Sequence, residues 1–118
     1  MAKFVLVSFS LLLISLSSVC YQGLATDEVN KYYCVAKPSS SDDALKANIK
    51  YVCEDQNLNC TAIKEVGSCY KPITLINHAS VAMNIYYQAF NRNTHNCDFQ
   101  KSGLITITEP TYDNCKYY

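Results

Sequence analysis

The chain has 118 residues, room for one domain. Its ten Lys and Arg balance ten Asp and Glu, so it lacks the basic excess that marks a nucleic-acid binder. Seven cysteines, ten tyrosines and no tryptophan argue against a cytosolic enzyme and for a small secreted, disulfide-stapled module.

Lys3 is the sole charge before Asp27, and Phe4 to Val19 is an apolar run of 16 residues with scattered serines. That falls short of the roughly 20 needed to cross a bilayer as a helix. A basic residue, an apolar stretch and then small residues spell a secretory signal peptide. Gly23-Leu24-Ala25 fits the small-x-small cleavage pattern, which assigns 1–25 to the signal peptide and starts the mature chain at Thr26. Cleavage after Cys20 is the second choice. Either cut removes Lys3 and Cys20, leaving one net negative charge and six cysteines: Cys34, Cys53, Cys60, Cys69, Cys97 and Cys115. An even number in an oxidising compartment predicts three disulfides, and spacing leaves their pairing open. Each stabilises by about 2–4 kcal/mol. No metal or cofactor is expected, because His78 and His95 are the only histidines and no Cys-x-x-Cys pair occurs.

Residues 26–33 read as a short arm leading into Tyr33-Cys34-Val35, an edge strand. Lys37-Pro38-Ser39-Ser40-Ser41 is a turn and helix-entry signal. Ser41 caps the predicted helix 42–53, and Asp42 and Asp43 lie in its first turn, where the dipole favours anions. Leu45, Ile49, Val52 and Cys53 recur at helical spacing. Glu54 to Gly67 is polar and loop-like. A second helix is predicted from Thr74 to Phe90, with Leu75, Ala79, Ala82, Tyr86 and Ala89 as its inward stripe and Asn77, Ser80, Asn84 and Gln88 as its polar side. Leu104 to Thr108 alternates with β-branched residues and predicts a strand, closed by Glu109-Pro110. The expected fold class is α+β, two main helices against a small antiparallel sheet.

These residues carry a resemblance. Tyr33-Cys34-Val35-Ala36-Lys37-Pro38, Tyr51-Val52-Cys53, Gly67-Ser68-Cys69-Tyr70, His78-Ala79-Ser80, Tyr86-Tyr87-Gln88, Cys97-Asp98-Phe99 and Pro110-Thr111-Tyr112 resemble the plant X8 domain, carbohydrate-binding module family 43. The resemblance spans about 34–115, and residues 34–118 are assigned to that domain. It implies non-catalytic binding of β-1,3-glucan such as callose in the plant cell wall, and the pairings Cys34–Cys97, Cys53–Cys60 and Cys69–Cys115. This chain departs from the family in having Tyr33 where a tryptophan usually stands, and Val66-Gly67 where Gly-Gly is common.

A glucan offers C–H faces edged by hydroxyls, which aromatic rings and Asn, Gln or Asp side chains match. Asn84, Tyr87 and Gln88 lie within one turn of the second helix, and Asp98 and Phe99 follow a cysteine that fixes them. With Tyr33 these form the expected carbohydrate-binding set, Tyr86 being assigned to the core and Tyr87 to the ligand. His78 is read as a hydrogen-bonded structural residue.

Catalysis is not expected. Asp42-Asp43 sits at a helix start, and no motif singles out the carboxylate pair that glycoside hydrolysis needs. Plant lipid carriers have eight cysteines in adjacent pairs, which this chain lacks. The alternative function is a cysteine-rich secreted cell-wall protein, structural or signalling, without sugar binding. The expected partners are β-1,3-glucan and a separate glucanase or the callose machinery, with the protein monomeric, secreted, and without a membrane anchor for want of a C-terminal apolar tail. Asn59-Cys60-Thr61 is an N-glycosylation acceptor in such a protein.

Overall fold

The structure is a computed structural model that describes residues 31–118; the expected signal peptide, 1–25, and residues 26–30 of the expected arm lie outside the described residues. Strand β1 (Tyr33–Ala36) leads through a turn into helix α1 (Asp42–Lys50). Helix α2 (Leu75–Ala89) and strand β2 (Gly103–Thr106) follow, with single 3-10 turns at Thr61–Ile63 and Thr94–Cys97. The fold is a small α+β domain stapled by three disulfides.

Helix α1 starts where the sequence places it. Ser41 is the N-cap and its Oγ accepts from the Ala44 amide at 3.1 Å. The α-helical geometry stops at Lys50, three residues before the expected end, and widens into a π-helical turn over Tyr51–Asp55. The Gln56 amide donates to the Tyr51 carbonyl at 2.8 Å across that turn. Such turns displace side chains from the regular helical stripe, and here the turn carries Cys53 to its bridge with Cys60.

The sheet is one antiparallel pair, with Tyr33 opposite Thr106, Cys34 opposite Ile105, Val35 opposite Leu104 and Ala36 opposite Gly103. Strand β2 ends two residues earlier than the alternation predicts; Ile107 is exposed and outside it. Two strands alone are marginal, and this pair is held from its other edge. In an antiparallel ladder alternate amides of each strand point away from the partner. Those of Cys34 and Ala36 donate instead to Asn84 Oδ1 at 3.0 Å and Ser80 Oγ at 2.9 Å on α2. Two helix side chains stand where a third strand would.

That contact buries the side of α2 expected to be polar and exposed, while Ala79 and Ala82 of the expected inward stripe are fully buried as well. The Asn77, Ser80, Asn84, Gln88 stripe is a seam that bonds backbone, and Ser80 and Asn84 are buried. Asn77 Nδ2 donates to the carbonyls of Cys69 at 2.9 Å and Pro72 at 3.1 Å. Gln88 Nε2 donates to the Tyr32 carbonyl at 2.8 Å. With the seam also turned inward, the apolar buried surface of α2 runs over Ala79, Val81, Ala82, Met83 and Tyr87. Successive helical residues differ by about 100°, so Tyr87 becomes core and Tyr86 is left half-buried at the edge of the core.

The core forms two clusters on either side of α2. One gathers Cys34, Leu45, Ala79, Met83 and Tyr87 with the Cys34–Cys97 bridge. The other gathers Tyr33, Val52, Ile63, Val81 and Tyr117 with the Cys69–Cys115 bridge. All three pairings are those that the family resemblance implies. Burial raises the Tyr117 hydroxyl pKa well above its ordinary value.

Val66 marks a local conflict. Its φ is 64°, in the left-handed region, and its side chain is 99 % exposed. A β-branched residue there is strained by roughly 1–2 kcal/mol with no packing to offset it. Val66→Gly is expected to raise stability by about 0.5–1 kcal/mol, the added freedom of glycine in the unfolded chain cancelling part of the relief. Thermal denaturation checks this; a lowered midpoint would show that the valine is not strained.

Candidate functional site

A groove of about 520 Å³ opens between the end of α1 and the segment that follows α2. One wall is Asn48, Tyr51 and Asp55, spaced three and four residues apart on α1 and its π-helical extension. Tyr86 of α2 lines it between the walls, and His95, Asp98, Phe99 and Gln100 form the opposite wall.

The aromatic surface is contiguous. The Tyr86 ring meets Tyr51 edge-on with centroids 5.4 Å apart, Phe99 edge-on at 5.6 Å, and Phe90 tilted at 4.6 Å. The Tyr51 and Tyr86 hydroxyls are 3.4 Å apart. That hydrogen bond, then burial, then the proximity of Tyr51 raise the Tyr86 pKa, so its hydroxyl stays neutral and offers both a donor and an acceptor. Asp55 is held by Lys50 Nζ at 3.2 Å in an exposed ion pair, worth little to stability.

The Phe99 wall is built under strain. Phe99, Gln100 and Lys101 have φ of 44°, 53° and 70°, three successive non-glycine residues in the left-handed region. Each such residue costs about 1–2 kcal/mol, and a turn of this kind persists only where its surroundings impose it. Here the Ser102 amide donates to the Phe99 carbonyl at 3.1 Å and Ser102 Oγ donates to the same oxygen at 2.6 Å. The Gly103 amide donates to the Asp98 carbonyl at 3.1 Å, and Cys97 is tied to Cys34 of β1.

Of the carbohydrate-binding set read from sequence, Asp98 and Phe99 line the groove. Tyr33, Asn84 and Tyr87 do not. Tyr33 and Tyr87 are core residues at 3 % and 2 % exposure, and Asn84 spends its side chain on the Cys34 amide and the Tyr118 carbonyl. Gln88 is half-buried beside Asn84, away from the groove lining. Tyr51, Tyr86 and Asn48 were missed, although Asn48, Tyr51 and Asp55 share one face by spacing. His78 is structural: Nε2 donates to the Tyr70 carbonyl at 2.6 Å, and the ring stacks on Tyr70. Among the described residues no group of three His, Cys, Asp or Glu is placed to hold a metal ion. No helix among them is long and apolar enough to cross a membrane.

The model of the X8 domain matches residues 32–104, which contain both helices, strand β1, the start of β2 and both walls of the groove. The chain belongs to the X8 domain family. Within curated proteins, this X8 domain is 44 % identical over 85 residues to a glucan endo-1,3-beta-D-glucosidase of Olea europaea. It is 41 % identical over 88 residues to the major pollen allergen Ole e 10 of the same species, and 37 % identical over 92 residues to glucan endo-1,3-beta-glucosidase 1 of Arabidopsis thaliana. These matches take in 72 %, 75 % and 78 % of the chain. They take in 18 % of each glucosidase but 72 % of the allergen. The X8 domain thus corresponds to under a fifth of the glucosidases it resembles, and to most of a small protein.

Proposed function

We propose that this chain is a secreted, non-catalytic module that binds β-1,3-glucan of the callose type along the Tyr51–Tyr86–Phe99 groove, in the plant cell wall. The observation that carries the reading is the groove itself. A contiguous aromatic surface for sugar C–H faces lies beside Asn48, Asp98 and Gln100 for the hydroxyls, which is the composition expected of a carbohydrate site. The polymer is suggested by the glucosidases that share this segment, whose names specify 1,3-β-glucan.

Binding without hydrolysis fits the acids present. Of the two acids on the groove, Asp98 is exposed, and Asp55 is exposed and paired with Lys50. Three disulfides suit an oxidising extracellular compartment. Asn59 is exposed, accepts from the Thr61 amide at 3.0 Å, and sits on the loop closed by the Cys53–Cys60 bridge. A glycan there projects into water and has no part in binding.

Co-sedimentation with insoluble β-1,3-glucan, with cellulose as control, tests the reading. Most of the protein is expected in the glucan pellet, with no reducing sugar released from laminarin. Protein left in the supernatant rejects glucan binding, and sustained sugar release rejects the non-catalytic assignment. Mass analysis before and after deglycosylation tests Asn59; an unshifted mass rejects the glycan.

A further inference from the structure

Asn48 is 8 % exposed and lines the groove. Its Nδ2 donates to Ser102 Oγ at 2.8 Å, and Ser102 Oγ donates in turn to the Phe99 carbonyl at 2.6 Å. The direction of this relay is fixed by its end. A carbonyl only accepts, so the single hydroxyl proton of Ser102 is committed to Phe99, and Ser102 Oγ is left to accept from Asn48. The amide nitrogen of Asn48 therefore faces Ser102 and, at 3.5 Å, Met83 Sδ. A flipped amide would set two acceptors against each other.

The oxygen has the opposite situation. Among the described residues no donor reaches Asn48 Oδ1. It is also absent from the buried side-chain atoms without a partner, of which there are none. An oxygen that is neither bonded nor sealed is open, and the open side of Asn48 is the groove. A buried polar group is stabilised when its partners are supplied, and here one end of the amide is supplied from within while the other is left for an incoming donor.

We propose that Asn48 Oδ1 is a ligand contact: a preset acceptor on the groove wall for one hydroxyl of a neutral sugar, aimed by Ser102. The assignment rests on the glucan-binding reading and deepens it. The relay also joins the acceptor to the strained Phe99 turn, so the hydrogen-bonding wall and the aromatic wall are held in one register. An acceptor held in place loses no rotamer freedom when the sugar arrives.

The experiment is titration of a β-1,3-linked glucohexaose into the parent protein and its variants, each checked for a cooperative thermal transition. Asn48→Ala is expected to bind about 3- to 10-fold more weakly, the loss of one neutral hydrogen bond. Asn48→Asp keeps an oxygen in that place: unlike a neutral amide, its charged carboxylate is a stronger acceptor than the Phe99 carbonyl and draws the Ser102 hydroxyl to itself, while the Ser102 amide still holds Phe99. It is expected to bind within about twofold of the parent, because the acceptor survives. A folded Asn48→Ala that binds like the parent overturns the proposal, as does an Asn48→Asp that is as weak as the alanine variant. If Asn48→Ala does not fold, Ser102→Ala takes its place, since it releases the amide to rotate; unchanged affinity there overturns the proposal. A parent protein that binds neither the hexaose nor insoluble glucan overturns the functional reading and this contact with it, whereas a binding parent with an indifferent Asn48 overturns this contact alone.

Discussion

Tyr87→Ala is expected to destabilise the domain by about 3–5 kcal/mol, the range for removing a large buried ring. Tyr87 is 2 % exposed and packs with Leu45, Ala79, Met83 and the Cys34–Cys97 bridge. In a domain of this size that loss lowers the thermal midpoint by at least about 12 °C. Tyr86→Ala is expected to do the converse. Its ring is half-buried against Tyr51, Phe90 and Phe99 on the groove, so the variant folds and glucan binding weakens by about tenfold, as at an aromatic anchor. Thermal denaturation and glucan titration of the two variants decide it. A folded Tyr87→Ala beside an unfolded Tyr86→Ala would restore the facing read from the sequence stripe.

Gly103→Ala is expected to prevent normal folding, at a cost of about 3 kcal/mol or more. A Cβ at Gly103 would overlap the carbonyl of Cys97 and press on its sulfur. Neither side is free to yield. Gly103 pairs with Ala36 at the start of β2, and Cys97 is bridged to Cys34 in the adjoining strand. The same shift would also pull on the Asp98 carbonyl that Gly103 holds, and so on the groove wall. Secretion yield, disulfide mapping and thermal denaturation check this, with Leu104→Ala as control. Leu104 is exposed next door, and its loss is expected to stay within about 1 kcal/mol. A Gly103→Ala variant with parental stability would mean that β2 sits further from Cys97 than described.

Helix positions were readable because their signals are local. Ser41 and Thr74 both cap the helices that follow, accepting from Ala44 and Asn77 amides. Strand β1 lies at the expected Tyr33-Cys34-Val35, and most of β2 lies where β-branched alternation puts it. The end of α1 was less readable, because the widened turn at Tyr51–Asp55 leaves no mark in hydrophobic period. Half of the candidate site went unread: Tyr86 falls on the apolar stripe of its helix and reads as core, and Tyr51 falls outside the stripe of α1, so hydrophobic spacing singles out neither.

By itself the sequence determined two helices with their starts, two short strands, an even set of six cysteines, and, through its motifs, a family resemblance that implied their pairing. The helices and strands follow from capping and periodicity, which are short-range along the chain; the cysteine pairing is what the resemblance implies. Only the tertiary structure decided that the polar side of α2 is buried along with its apolar stripe. Polar side chains at helical spacing ordinarily mean a wet face, but Ser80 and Asn84 are turned inward by the free amides of β1, some 44 and 50 residues away in the chain. Unsatisfied strand amides are costly to bury, so the helix turned its hydroxyl and amide toward them. That turn moved Tyr87 into the core and brought Tyr86 out to meet Tyr51 and Phe99.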